Sequence, residues 1–173
     1  MNRNYLLIAC AMAAAPACTR APHGGTPPAS PDTSFVAMQD RGKTAMGVDQ
    51  YASAHVFEDL PDGGRIVLQV NPPDTAGTGA IREHMTTIAA AFSRGDFAIP
   101  GFVHGQEVPG TAVMSARRAE ITYTADTLPR GGQVRITTVD STAVAAVHEF
   151  LAFQREAHHA AGHDQHSHTS TPQ

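Results

Sequence analysis

The sequence contains no tryptophan, only two cysteines, and no apolar run approaching the roughly 20 residues that a membrane-crossing helix needs. Basic residues are in short supply as well. Twelve Lys and Arg stand against sixteen Asp and Glu, a formal net charge of −4, which excludes the broad basic field of a nucleic-acid binder. Several catalytic signatures are missing. There is no Gly-x-Ser-x-Gly elbow, no His-Glu-x-x-His zinc helix, no phosphate loop and no dinucleotide fingerprint. Glu83, Glu107, Glu120 and Glu149 lack any paired spacing and read as surface charge. No catalytic residue is assigned, and a binding protein is expected ahead of an enzyme with its site at His55, His84 and His104. The one type in excess is histidine, with ten residues. At 173 residues and 42% hydrophobic, the chain suits one domain with accessory segments.

The N-terminus reads as an address. Residues 1–17 combine Arg3, the short apolar stretch Tyr5 to Ala15 and the small-residue site Ala15-Pro16-Ala17, the pattern of a signal peptide. Cys18 follows directly. This resembles the lipobox of bacterial lipoproteins, although Ala15 stands where Leu is usual and Pro16 is uncommon. Removing the leader removes Cys10 and leaves Cys18 alone, and a single cysteine in an oxidising compartment is accounted for by acylation. Cys18 is therefore the expected lipidation site and membrane contact, with plain secretion as the rival. The Pro-, Gly- and Ser/Thr-rich residues that follow, through 33, read as a tether. The expected location is the periplasm or the outer-envelope face.

Residues 34–157 read as one domain built from an internal repeat. Leu-Pro-x-Gly-Gly occurs at Leu60–Gly64 and again at Leu128–Gly132. Pro61-Asp62-Gly63-Gly64 and Pro129-Arg130-Gly131-Gly132 read as hairpin turns. Alternating apolar residues follow each: Ile66, Leu68 and Val70, then Val134, Ile136 and Thr138, the period of a half-buried strand. Ile81, Met85, Ile88 and Phe92 share one helical stripe, with Gly95 at its C-terminal end. Val144, Val147, Phe150 and Leu151 belong to a second helix, capped by Asp140 or Ser141. The expected fold is α+β: a duplicated ββα–ββα unit forming a four-stranded antiparallel sheet with two helices on one face. A short helix near residues 35–41 is expected to stop at Gly42. Pro100-Gly101 and Pro109-Gly110 mark the segment between the copies as a long ordered loop, a common place for a functional site.

The histidines fall into two sets. His158, His159, His163, His166 and His168 crowd the C-terminus, where residues 158–173 read as a His-rich disordered tail able to wrap Cu²⁺, Ni²⁺ or Zn²⁺. Inside the domain, His55 shares a strand face with Phe57, and His84 lies on the stripe of Ile81 and Ile88. His104 stands in the central loop. A cluster of His55, His84 and His104, with Met46 or Met114, would suit copper or zinc. The competing reading is that His55 and His84 are satisfied core residues. The repeat aligns His55 with Tyr123 and His84 with Phe150, so ring-bearing residues recur where ligands do not. His148 flanks the second apolar stripe as a boundary residue.

Taken together, Met46–Gln50, Asp62–Ile66, Gly95–Phe97, Val103-His104, Val108–Gly110 with Met114, and His148–Gln154 resemble a family of small uncharacterised bacterial proteins. The resemblance covers residues 35 to about 163 and implies no activity. An aspartate carbamoyltransferase label carried by some members has no support here: the chain is short and lacks a Ser-Thr-Arg-Thr motif. Members resemble one another through the His55, His84 and His104 positions. The expectation is an exported, lipid-anchored envelope protein binding copper, zinc or another transition metal. The alternative is a metal-independent module binding a small molecule or a protein.

Overall fold

The computed structural model of this protein describes residues 33–71 and 73–160. Its order is α1 (Thr33–Met46), β1 (Ser53–Leu60), β2 (Gly63–Val70), α2 (Thr75–Ser93), α3 (Ala98–His104), α4 (Thr111–Ala116), β3 (Ile121–Leu128), β4 (Gly131–Thr138) and α5 (Ser141–Ala157). The expected α+β duplication is what forms: two hairpins, each followed by a helix, make one antiparallel sheet in the order β1-β2-β4-β3. Period-two alternation puts Ile66, Leu68 and Val70 of β2 and Val134 and Ile136 of β4 on the buried face, each 4% exposed or less. Ile66 and Val134 occupy equivalent places in the two copies and pair with each other across the β2–β4 seam. A pseudo-twofold axis therefore passes between them.

The turns are shorter than the sequence suggests. Leu60 pairs with Gly63 and Leu128 with Gly131, so each connection is two residues, Pro61-Asp62 and Pro129-Arg130. The glycines are the first strand residues, kept side-chain-free by the seam. A Cβ on Gly63 would lie 2.3 Å from the Ile136 carbonyl oxygen, and one on Gly131 2.0 Å from that of Leu68. The two contacts are symmetry mates.

The helices cross over between copies. α2, from the first copy, packs mainly on β3 and β4, while α5, from the second, packs mainly on β1 and β2. An isolated hairpin is marginal in water, and here each is covered by the other copy's helix. Both helices start at an aspartate. Asp74 accepts from the amides of Ala76 and Gly77, and Asp140 from that of Thr142. Arg155 of α5 grips β1 with two 2.9 Å bonds to Asp59 and a 3.0 Å bond to the Phe57 carbonyl. Nε2 of His148 donates to the Leu60 carbonyl at 2.9 Å, tying the same helix to the end of that strand.

Two expectations about local structure are corrected. Gly42 does not end α1, which continues to Met46. It is glycine because the Gln50 amide lies against it: a Cβ there would fall 1.6 Å from Gln50 Nε2. The segment between the copies is also not a plain loop, since it holds α3 and α4. Pro100 is the third residue of α3, inside the first turn, where a missing N–H costs no helical bond. No helix among the described residues is long and apolar enough to cross a membrane. The leader, Cys18 and the tether through residue 32 lie outside the described residues.

Candidate functional site

One cavity, of about 70 Å³, gathers the internal histidines. Its walls carry His55 of β1, His84 of α2, His104 at the last residue of α3, and His158 at the C-cap of α5. Met46, Gln50 and Gln154 line it too, among apolar side chains that include Phe57, Leu68 and Met85. The three histidines singled out within the domain thus share one space. His158, grouped with the tail in the sequence, joins them. The chain turns at His158 and His159, and His159 packs on Phe35 with ring centres 4.6 Å apart. His158 is thereby folded onto the domain, which corrects its assignment to a disordered tail. His163, His166 and His168 lie outside the described residues. Met114 is fully buried but does not line the cavity, whereas Met46 does. Glu83, Glu107, Glu120 and Glu149 are all exposed.

The rings touch. His55 and His158 stack with centres 5.3 Å apart and planes 13° from parallel. His104 meets His158 edge-on at 5.1 Å. Hydrogen bonds fix which nitrogen carries the proton in two of them, because an amide oxygen can only accept. His158 Nδ1 donates to Gln50 Oε1 at 3.0 Å, and His104 Nε2 donates to Gln154 Oε1 at 2.9 Å. The lone pairs of the neutral rings are then on Nε2 of His158 and Nδ1 of His104. Nε2 of His55 is buried with no hydrogen-bond partner among the described residues. Such an orphaned buried nitrogen is uncommon in native proteins.

Burial keeps all four rings uncharged. Desolvation, then the proximity of His84, pushes His55 down to about 4. His158 falls to about 3, through desolvation first and then His55 and His104. His84 and His104 are lowered too, mainly by burial; the Ala45 carbonyl opposes the shift at His84, and the Gln154 amide opposes it at His104. Arg41, which donates to the Val103 carbonyl at 2.8 Å, adds a positive charge near His104 that lowers it further.

A second hollow, of about 330 Å³, adjoins the first and is bounded by Phe35, Gln39, Tyr51 and His159 among others. Gln50, His55 and His158 line both spaces. As the side chains stand, no group of three or more His, Cys, Asp or Glu among the described residues is arranged to hold a metal ion.

The pseudo-twofold explains how the cluster arises. Counted from the N-cap aspartates, His84 matches Phe150 and His158 matches Phe92; in the strands, His55 matches Tyr123. Phe92, Tyr123 and Phe150 form a packed aromatic cluster, with Phe92 centred 5.7 Å from Tyr123 and 5.9 Å from Phe150. One half of the molecule fills these three ring positions with carbocycles, and the other half fills all three with imidazoles. Core filling alone gives no reason for three such replacements at a single symmetry-related place. Comparison with family models, with curated proteins and with solved structures finds no match for this chain.

Proposed function

We propose that this protein binds a transition-metal ion through His55, His104 and His158, with His84 as a fourth imidazole. The observation that carries the reading is the state of the rings. They are neutral at physiological pH, and the outer nitrogens of His104 and His158 are held by amide oxygens. Each of those two therefore turns an unprotonated nitrogen away from its anchor. Metal-ligating histidines are arranged in this manner, with the second N–H fixed by a carbonyl or carboxylate oxygen. His55 Nε2, buried without a hydrogen-bond partner among the described residues, would supply another donor in the tautomer protonated on Nδ1. Spacing supports the reading as well. Two imidazoles sharing an ion through bonds of about 2 Å at a tetrahedral angle have ring centres about 5 Å apart, against 5.3 and 5.1 Å for the two touching pairs. As the side chains stand the cluster is not arranged around an ion, and ligation requires it to rearrange. Gln50, Gln154 and Gly42 act behind the ligands: Gly42 leaves room for the Gln50 amide that orients His158.

The address belongs to the same proposal. A leader over residues 1–17 and an acylated Cys18 would place the domain on the envelope side of a bacterial membrane. Loss of palmitate labelling in Cys18→Ala would support the anchor, and labelling unchanged by that substitution would remove it.

The direct test is elemental analysis of the chain carrying His163→Ala, His166→Ala and His168→Ala, purified without an affinity tag from metal-replete cells. The expected result is about one equivalent of copper or zinc, lost in His55→Tyr and in His158→Phe. Both substitutions copy the ring that the other half of the molecule already accommodates. Absence of bound metal from a folded preparation would contradict the proposal. The pocket would then be read as a small apolar ligand site, a reading favoured by its many hydrocarbon walls.

A further inference from the structure

We infer that the ion this pocket selects is monovalent copper rather than a divalent cation. The inference rests on the metal-binding reading of the same site. Its basis is the charge of the donors. Every polar side chain lining the cavity is neutral: four imidazoles, the amides of Gln50 and Gln154, and the thioethers of Met46 and Met85. Among the described residues no carboxylate and no cysteine lines it. The charged side chain that acts on the cluster is positive, that of Arg41, which lowers His104.

The cost of taking an ion out of water into a low-dielectric site rises with the square of its charge. Zn²⁺ or Cu²⁺ would enter this largely apolar, half-open pocket with two positive charges that no lining side chain offsets. Protein sites for divalent ions commonly offset that charge with thiolates, carboxylates or a bound hydroxide. Cu⁺ carries half the charge and about a quarter of the desolvation cost. It is also the softer ion, for which a thioether is a competent ligand. Met46 is 8% exposed and Met85 1%, so both sulfurs belong to the buried wall instead of to solvent. His55 and His158 also line the second hollow, beside Tyr51 and His159.

The test uses the full chain in metal-free form, under anaerobic conditions. It is titrated with Cu⁺ against a chromophoric Cu⁺ chelator and, separately, with Zn²⁺ against a chromophoric Zn²⁺ chelator. His158→Phe and His55→Tyr are run beside it, with circular dichroism to show that each is folded. The expected result is one tight Cu⁺ equivalent, weakened by at least about 100-fold in either variant, more than loss of an outer-shell partner brings. Any Zn²⁺ uptake should be the same in wild type and variants. Met46→Leu should weaken Cu⁺ by about tenfold and leave Zn²⁺ unchanged. If both ions weaken in the variants, or Zn²⁺ alone does, the preference for monovalent copper is overturned while the metal site stands. If neither ion responds to His55→Tyr or His158→Phe, the metal reading itself fails.

Discussion

Mild acid should destabilise this protein strongly, because four half-buried imidazoles are held uncharged around its pocket. In the unfolded chain a histidine binds a proton near pH 6.5. In the folded chain His55 resists protonation until about pH 4 and His158 until about pH 3. Above pH 6.5 both states are neutral, and the full stability is present. As pH falls below 6.5 the unfolded state takes up protons that the folded state refuses, and stability is lost until the folded values are passed. Each such group removes about 1.4 kcal/mol per pH unit. His55 and His158 together therefore take away about 4 kcal/mol between pH 6.5 and 5. A domain of this size has only about 5–15 kcal/mol to lose. The assay is urea unfolding followed by circular dichroism at pH 7.5, 6.5, 6.0, 5.5 and 5.0, with chelator present. The chain carrying His163→Ala, His166→Ala and His168→Ala serves as control for those residues. His55→Tyr and His158→Phe should each reduce the pH slope by about 1.4 kcal/mol per unit. A stability that stays level from pH 7 to 5, or a slope untouched by either variant, would refute the buried-cluster account.

Three further outcomes follow from the packing. Tyr123 has a buried hydroxyl with no partner among the described residues, so Tyr123→Phe should be neutral or stabilising by up to about 1 kcal/mol in thermal unfolding. Arg155→Ala removes a bidentate pair with Asp59 and a bond to Phe57; with both side chains partly solvated, a loss of about 1–2 kcal/mol is expected in urea unfolding. Gly131→Ala drives a methyl onto the Leu68 carbonyl at the β2–β4 seam. It should cost about 3 kcal/mol or more, and wild-type stability in that variant would show that the seam yields.

Much of the architecture was legible because the two copies repeat their punctuation. The doubled Leu-Pro-x-Gly-Gly, the alternating strands and the helical stripe of Ile81, Met85 and Ile88 are local signals, and local periodicity fixes local structure. What they do not encode is which hairpin each helix covers. That choice is tertiary, and the crossed arrangement brings His158 at the end of α5 to His55 on β1. Read linearly, His158 stands beside His159 and close to three more histidines, and composition assigns it to a tail. Extending the alignment from the aspartate caps to Phe92 and His158 was the available signal, since His84 and His55 already matched Phe150 and Tyr123. Gly42 misled for a related reason. Its lack of a side chain serves the Gln50 amide packed against it rather than a helix terminus. The roles of Gln50 and Gln154 depend on long-range contacts and had no sequence signature.

The central claim is that the internal imidazoles, and not the C-terminal histidines alone, take the metal. Nitrogen-15 NMR of the histidine rings, recorded before and after one equivalent of Cu⁺ is added anaerobically, addresses it most directly. In the metal-free protein His158 should carry its proton on Nδ1 and His104 on Nε2. On addition of Cu⁺, Nε2 of His158 and Nδ1 of His104 should lose the signature of a free lone pair while the protonated partners persist, and His55 should shift with them. Unchanged spectra for His55, His104 and His158, with only C-terminal signals moving, would contradict the account.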